Sequence, residues 1–150
     1  MISKFNFQRL KKGALKYLVL ECLAEKPMRV YEIIKAIENK FEGFYRPSTG
    51  SIYPILKTLI DDELISVNIE KGKKIYSITE KGKKIYEEMK NKKYKIFGDN
   101  ASFIMPILQE LLQMAFYFHE NRSKIDERTS ELIINHLKDC KEQIRKLIRE

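Results

Sequence analysis

The sequence predicts a mainly α-helical protein with one small β-hairpin and a C-terminal helical arm. Apolar residues recur at helical spacing over residues 15–60 and again from residue 103 onward. Between these parts, residues 64–78 are rich in Ile and Val and alternate in part between apolar and polar side chains. The 150 residues are 43% hydrophobic and include four prolines and six glycines, a composition typical of a folded domain with an appendage.

The first two helices are predicted from apolar faces with spacings of three and four residues. The first face consists of Leu15, Leu18, Val19, Cys22 and Leu23. Lys26-Pro27 closes that helix. The second face consists of Val30, Ile33, Ile34, Ile37 and Phe41. This helix is expected to end near Gly43, since glycine suits a helix C-terminus.

A third helix is predicted to begin at Ser48, which follows Arg46-Pro47 and is a good N-cap residue. Its predicted buried face consists of Ile52, Ile55, Leu56, Leu59 and Ile60. Pro54 cannot donate a backbone hydrogen bond. The first turn should therefore be distorted, or the helix should begin late.

The hairpin is predicted from two β-branched stretches, residues 64–69 and 75–78, which flank the tight turn 70–73. Thr79 then serves as the N-cap of a lysine-rich helix that extends to about Lys95. Three helices, a hairpin and a further helix are the order of elements in a winged helix-turn-helix.

A domain boundary is predicted at the break over residues 97–100, which gives a winged helix-turn-helix domain over 1–97 and a helical arm over 98–150. The charge changes at the same point. Residues 1–98 contain 21 Lys and Arg against 12 Asp and Glu, whereas residues 99–150 contain 8 against 9. The net charge of +8 and the pI of about 9.4 therefore come from the first part, and they favour an anionic partner such as DNA.

The arm is predicted to hold two helices. The first runs from Phe103 to Phe118, with Pro106 near its first turn. The second covers residues 124–150 and carries apolar residues that alternate spacings of four and three, the pattern of a coiled-coil interface. We predict that these residues form a homodimer: Ile133, Leu137, Cys140, Ile144 and Leu147.

The predicted DNA-binding residues lie on the third helix and at the tip of the hairpin. Three helices that share one small core leave a face of the third helix free to enter the DNA major groove. Hydroxyl and cationic side chains on that face suit base edges and phosphates, and cations at the hairpin tip suit the DNA backbone. The predicted residues are Arg46, Ser48, Thr49, Ser51, Tyr53, Lys57, Lys71, Lys73 and Lys74.

Two segments resemble the PadR family of winged-helix transcriptional regulators. They are Gly50-Ser51-Ile52-Tyr53-Pro54-Ile55-Leu56 and Lys73-Lys74-Ile75-Tyr76-Ser77-Ile78-Thr79-Glu80-Lys81-Gly82; Tyr31-Glu32-Ile33 is a weaker match. The resemblance implies a dimeric regulator, usually a repressor of an operator in duplex DNA, often relieved by a small aromatic or amphipathic effector. It also accounts for Pro54. Val30 and Glu63 stand where the family usually has glycine, so a positive φ at Glu63 would strain the chain.

Other readings of particular residues stay open. The aromatic and methionine cluster Phe103, Met105, Met114, Phe116, Tyr117 and Phe118 suits helix packing and also an effector pocket. Tyr31 is expected to pack, with donation of a hydrogen bond to a phosphate as the alternative. Cys22 is expected to be buried and inert. His136 and Cys140 lie four residues apart, which gives too few ligands for a metal site.

Other functional classes find less support. A winged-helix adaptor that binds proteins is the main alternative, and RNA binding ranks lower because an exposed aromatic platform is missing. No phosphate loop, catalytic dyad or triad stands out, so we predict neither an enzyme nor a cofactor. Two isolated cysteines and the absence of a signal or membrane segment indicate a cytoplasmic protein that does not bind membranes.

Overall fold

The computed structural model of the chain describes residues 7–97 and 101–149. Its regular elements are α1 (Phe7–Glu25), α2 (Val30–Lys40), α3 (Thr49–Asp61), β1 (Ile65–Glu70), β2 (Lys73–Ile78), α4 (Glu80–Phe97), α5 (Ala101–Glu120) and α6 (Glu127–Arg149). A one-turn 3-10 helix, Arg122–Lys124, precedes α6. The chain divides into two compact units, Met1–Gln113 and Met114–Glu150.

The first unit is built around α1, which packs against α2, α3, α4 and β2. Leu15, Val19 and Leu23 bury the apolar face of α1, and Ile33, Ile37, Ile52 and Leu56 complete the core from α2 and α3. The strands β1 and β2 pair antiparallel, and Met28 forms a further antiparallel bridge with Tyr76 of β2. This is a winged helix-turn-helix, so the predicted fold class is confirmed.

The boundaries of α1 to α4 follow the predictions to within a few residues, except at the start of α1. The helix begins at Phe7, well before Leu15. The prediction missed residues 8–13 because they are mostly exposed and polar. Apolar periodicity marks only the part of a helix that is buried. In α3 the predicted buried residues are buried except for Ile60, which is half-buried.

Pro54 lies inside α3 and does not delay it. The helix begins at Thr49, directly after its N-cap Ser48, so the prediction of a late start is wrong. A helical proline at this position forgoes one backbone hydrogen bond, to the carbonyl of Gly50. Since Gly50 has no side chain and is exposed, that carbonyl stays open to water.

The arm contains the two predicted helices. However, α5 begins at Ala101, so Pro106 lies in its second turn and not in its first. Asp126 caps α6, because its Oδ1 accepts a hydrogen bond of 2.7 Å from the Thr129 backbone N–H. Hydrogen bonds from the side chain and backbone of Thr129 lower the pKa of Asp126. Residues 98–100 of the predicted break lie outside the described residues, and the first compact unit extends into α5 as far as Gln113.

Candidate nucleic-acid interface

The free face of α3 carries most of its predicted DNA-binding residues. Thr49, Tyr53 and Lys57 are exposed, and 52% of Tyr53 is accessible to solvent. The opposite face is buried in the core through Ile52, Ile55, Leu56 and Leu59. The amphipathic pattern of α3 therefore fixes which side chains can meet a partner.

Ser48 and Ser51 are engaged with each other at the start of α3. The Ser48 hydroxyl accepts a hydrogen bond of 3.2 Å from the Ser51 backbone N–H, and the two hydroxyls lie 3.0 Å apart. This cap satisfies one of the free N–H groups of the first helical turn. A DNA contact by the Ser48 or Ser51 hydroxyl would have to compete with these hydrogen bonds. Among the predicted Ser and Thr residues, Thr49 is therefore the most accessible to DNA.

The hairpin forms a wing with a two-residue turn. Lys71 and Gly72 have φ of +49° and +75°, the combination of a type I′ turn that matches the twist of paired strands. Lys71, Lys73 and Lys74 are exposed around this turn. Ile69, directly opposite Lys74, is 72% exposed. No local pattern in the sequence distinguishes it from the buried isoleucines.

A compact junction ties the wing to the end of α3. Glu63 has φ of +60°, so the strain predicted for this position is present. The Thr79 hydroxyl donates to the Glu63 carbonyl oxygen over 2.7 Å and accepts from the Gly82 N–H over 3.0 Å, which confirms Thr79 as the N-cap of α4. A Cβ atom at Gly82 would overlap the Leu64 carbonyl oxygen. This close approach is the physical reason for a Thr-x-x-Gly sequence here.

The tyrosines of the two PadR-like motifs come close together. Tyr76 of β2 is buried, and burial together with the nearby Tyr53 hydroxyl raises its pKa. α3 also packs against β1, so the wing borders this helix. Tyr31 is 66% exposed, so the prediction that it packs is wrong; as a residue of the first turn of α2, it projects from the helix surface before the buried part begins.

Ion pairs separate the cations of this surface into two groups. Within the described residues, Lys57, Lys71, Lys73 and Lys74 have no carboxylate partner. Arg46 instead pairs with Glu38, with Nη1 and Oε2 2.9 Å apart. A phosphate contact by Arg46 would have to compete with this ion pair. The sequence cannot show the pair, because only the fold of α2 brings Glu38 beside Arg46.

A second group of cations borders α3 and was not singled out from the sequence. Lys11 and Lys12 of α1 line a groove of about 200 Å³ together with Gly50, Ser51 and Pro54 of α3. The available signal was the run of cations in α1 before its first acidic residue, Glu21.

The five predicted dimer residues of α6, which we call the α6 stripe, are largely exposed. Ile133 is half-buried, whereas the other four predicted residues are exposed, up to 77% for Leu147. Additional apolar residues of α6 are exposed as well: Leu132, Ile134 and Ile148. Exposed apolar side chains in this number mark an interaction surface.

A cavity of about 700 Å³ lies within the first unit, between α1, the end of α2 and the first part of α5. Met105 is the member of the predicted aromatic and methionine cluster that lines it, whereas Phe103 is exposed and Phe116 is buried. Lys40 at its wall pairs with Glu21 and Glu25 over 3.4 and 3.5 Å. Burial alone would lower the pKa of Lys40, but the two carboxylates raise it above its usual value.

The remaining titratable candidates form no site in the described part of the chain. Cys22 is buried as predicted, and burial raises the pKa of its thiol to about 11. The described residues contain no group of three or more His, Cys, Asp or Glu placed to hold a metal ion. Each described helix is also too short or too polar to cross a bilayer.

The sequence profile described as "Transcriptional regulator PadR-like family" matches residues 19–88. This segment is a PadR-like domain. It contains α2, α3, the wing and the junction at Gly82. The resemblance carried by the motifs around Tyr53 and Tyr76 is thereby confirmed.

Individual relatives agree with this assignment. A stretch of 77 residues is 42% identical to "Transcriptional regulator YqjI" of Escherichia coli K12, which covers 51% of this chain and 37% of that protein. The chain thus spans well under half the length of this curated relative. The X-ray structure of a PadR-like transcription factor from Bacteroides fragilis has a TM-score of 0.54 at 25% identity and covers 65% of this chain and 95% of that one. A transcriptional regulator from Clostridium thermocellum shares the fold, with a TM-score of 0.54 at 23% identity over 56% of this chain and 86% of that one.

Proposed function

We propose that this protein is a sequence-specific, double-stranded DNA-binding transcriptional regulator that acts in the cytoplasm as a homodimeric repressor. The observation that carries the proposal is the free face of α3 beside a wing whose three lysines have no ion-pair partner among the described residues. The DNA major groove is wide enough to admit an α-helix, and unpaired lysines replace the counterions of the phosphate backbone.

Each side chain has a distinct part in this mechanism. Tyr53 and Lys57 project from α3 toward base edges and the adjoining phosphates. Lys71, Lys73 and Lys74 contact the backbone and carry no sequence information. Lys57 should therefore affect specificity, whereas the wing lysines should affect affinity for any duplex.

The dimer of this proposal forms through the α6 stripe. A two-fold dimer would present two α3 helices to successive major grooves about 34 Å apart, which matches a near-palindromic operator. The exposure of Leu137, Ile144 and Leu147 supports this role, since these side chains gain burial only against a partner.

The repressor of this proposal responds to a small amphipathic effector. The cavity of about 700 Å³ supports this part, because small-molecule sites have volumes of this order and combine apolar walls with a few polar groups. Tyr17, Leu18 and Phe41 would supply apolar walls, with Glu21 and Lys40 as polar groups. An effector would favour a dimer geometry in which the spacing of the α3 helices no longer matches DNA.

The experiment is fluorescence anisotropy of the full chain with duplex DNA from upstream of its own coding sequence and with a scrambled duplex, over a salt series. Binding should weaken steeply as salt rises. Lys57→Ala should cost roughly 1–3 kcal/mol on the upstream duplex and little on the scrambled one. Lys73→Ala should weaken both alike and lower the salt slope by about 1.

Lys146→Ala on α6 removes the same charge from a residue that is not part of the proposed interface, and it should leave both affinities unchanged. Equal losses for Lys57→Ala and Lys73→Ala on both duplexes would contradict the division of roles. If the wild-type chain binds neither duplex at low salt, the DNA-binding proposal is wrong and the protein-binding adaptor becomes the better assignment.

A further inference from the structure

The free face of α3 has two flanks. Successive residues of a helix are rotated by about 100°, so Tyr53 and Pro54 point to different sides. On one side, α3 packs against β1 of the wing, and Tyr53 is near enough to Tyr76 of β2 to help raise its pKa. Pro54, with Gly50 and Ser51, lines the groove shared with α1. The wing therefore borders α3 on one side and the start of α1 borders it on the other.

The wall that α1 contributes to this groove is cationic. Lys12 is exposed and has no carboxylate partner among the described residues. Lys11 is half-buried, with its Nζ 5.6 Å from the centre of the Tyr45 ring. Lys16, one turn further along α1, pairs with Asp62 over 3.4 Å. Lys12 is thus the cation of this wall with the greatest freedom to bind an anion.

When α3 lies in the major groove of DNA, each of its two flanks faces a phosphate backbone. A helix that lies in the major groove, about 12 Å wide, has one phosphate backbone on each side. If the wing lysines meet the backbone of one strand, the groove between α1 and α3 faces that of the other. A cation there would fix the rotation of α3 within the major groove, because phosphate contacts determine register and orientation.

We propose that Lys12 binds a backbone phosphate of the strand opposite to the one the wing contacts, at the groove lined by Lys11, Gly50, Ser51 and Pro54. This inference rests on the proposed DNA-binding function. It extends the interface beyond the helix-turn-helix and the wing to the first helix of the chain. Lys12 would read no base, so its contribution is the same for every sequence.

The test uses Lys12→Gln in the full chain, with Lys16→Gln as the matched control. Lys12→Gln should lower affinity for the upstream and scrambled duplexes by similar factors, roughly tenfold for the loss of one charged hydrogen bond. The salt slope should fall by about 0.9, the value for one phosphate. Lys16→Gln should change neither, because Asp62 already neutralises Lys16.

A second measurement locates the contact. In a series of upstream duplexes, each with one neutral methylphosphonate, one position in each half-site should weaken the wild type but not Lys12→Gln. Within that half-site, it should lie on the strand opposite to the position that behaves this way for Lys73→Ala. An unchanged salt slope for Lys12→Gln, equal losses for Lys16→Gln, or both positions on one strand of the same half-site would overturn the inference. If Lys57→Ala and Lys73→Ala still weaken binding in that case, only the role of Lys12 fails; if no variant matters, the proposed function fails as well.

Discussion

The two compact units of the chain differ in the burial of their apolar side chains. In the first unit, Leu15, Ile33, Ile52 and their neighbours are buried in a core formed by helices and wing. Among the described residues of the second unit, Phe116 is the one apolar residue in the core set, whereas α6 exposes most of its apolar side chains. The first unit thus completes its core alone. The second exposes the apolar side chains that the proposed dimer would cover. This difference separates variants that should unfold the protein from variants that should only dissociate the proposed dimer.

The largest effect is expected from charges on the α6 stripe. Ile144→Asp with Leu147→Asp should convert the dimer into a monomer of 17.8 kDa, measured by analytical ultracentrifugation, since burying a carboxylate against a second copy is costly. Operator affinity should fall on the order of 100-fold, because a monomer no longer binds two half-sites through two linked domains. The melting of the first unit should stay unchanged.

Two further observations check this result. Lys146→Asp, on the opposite face of α6 by helical periodicity, should leave the dimer intact. Cys140 should react slowly with a maleimide in the wild type and fast in the double variant, while the buried Cys22 stays unreactive in both. A wild-type chain that sediments as a monomer would show that the α6 stripe serves some other partner.

The next largest effect is expected at the junction of the first unit. Gly82→Ala should destabilise the protein by about 3 kcal/mol, near the top of the range for overpacking, because its Cβ would overlap backbone at Leu64. Urea unfolding measures this change. Gly13→Ala in α1 is the matched control: a Cβ there meets nothing within 4 Å, so it should stabilise the helix by roughly 0.5–1 kcal/mol. Equal effects of the two substitutions would contradict the close approach at Gly82.

The smallest effect is expected at Glu63. Glu63→Gly should stabilise the first unit by roughly 0.5–1 kcal/mol. Glycine removes the strain of the left-handed backbone, and this gain in free energy exceeds the entropic cost of ordering a glycine. The ion pair of Glu63 with Lys81 is exposed and contributes little. Glu63→Ala, which loses the ion pair but keeps a Cβ, should not stabilise. A gain for alanine equal to that for glycine would show that the side chain and not the backbone is the cause.

Local patterns predicted most of the fold. The faces of α1, α2 and α3, the Ser48 and Thr79 caps and the Lys71-Gly72 turn each depend on residues within a few positions. Residues distant in sequence decided the rest of the candidate interface. Arg46 is paired because α2 places Glu38 beside it, and Lys12 borders α3 because α1 packs across it.

By itself, the sequence determined the order of elements, the cationic character of the first part and the PadR-like motifs, because periodicity, capping and turn chemistry are local. Only the tertiary structure decided which cations remain unpaired, why Gly82 cannot carry a side chain, and that Tyr53 and Tyr76 approach each other. Those properties depend on distances between separate segments. Such distances are set when the core closes, and no single segment of sequence contains them.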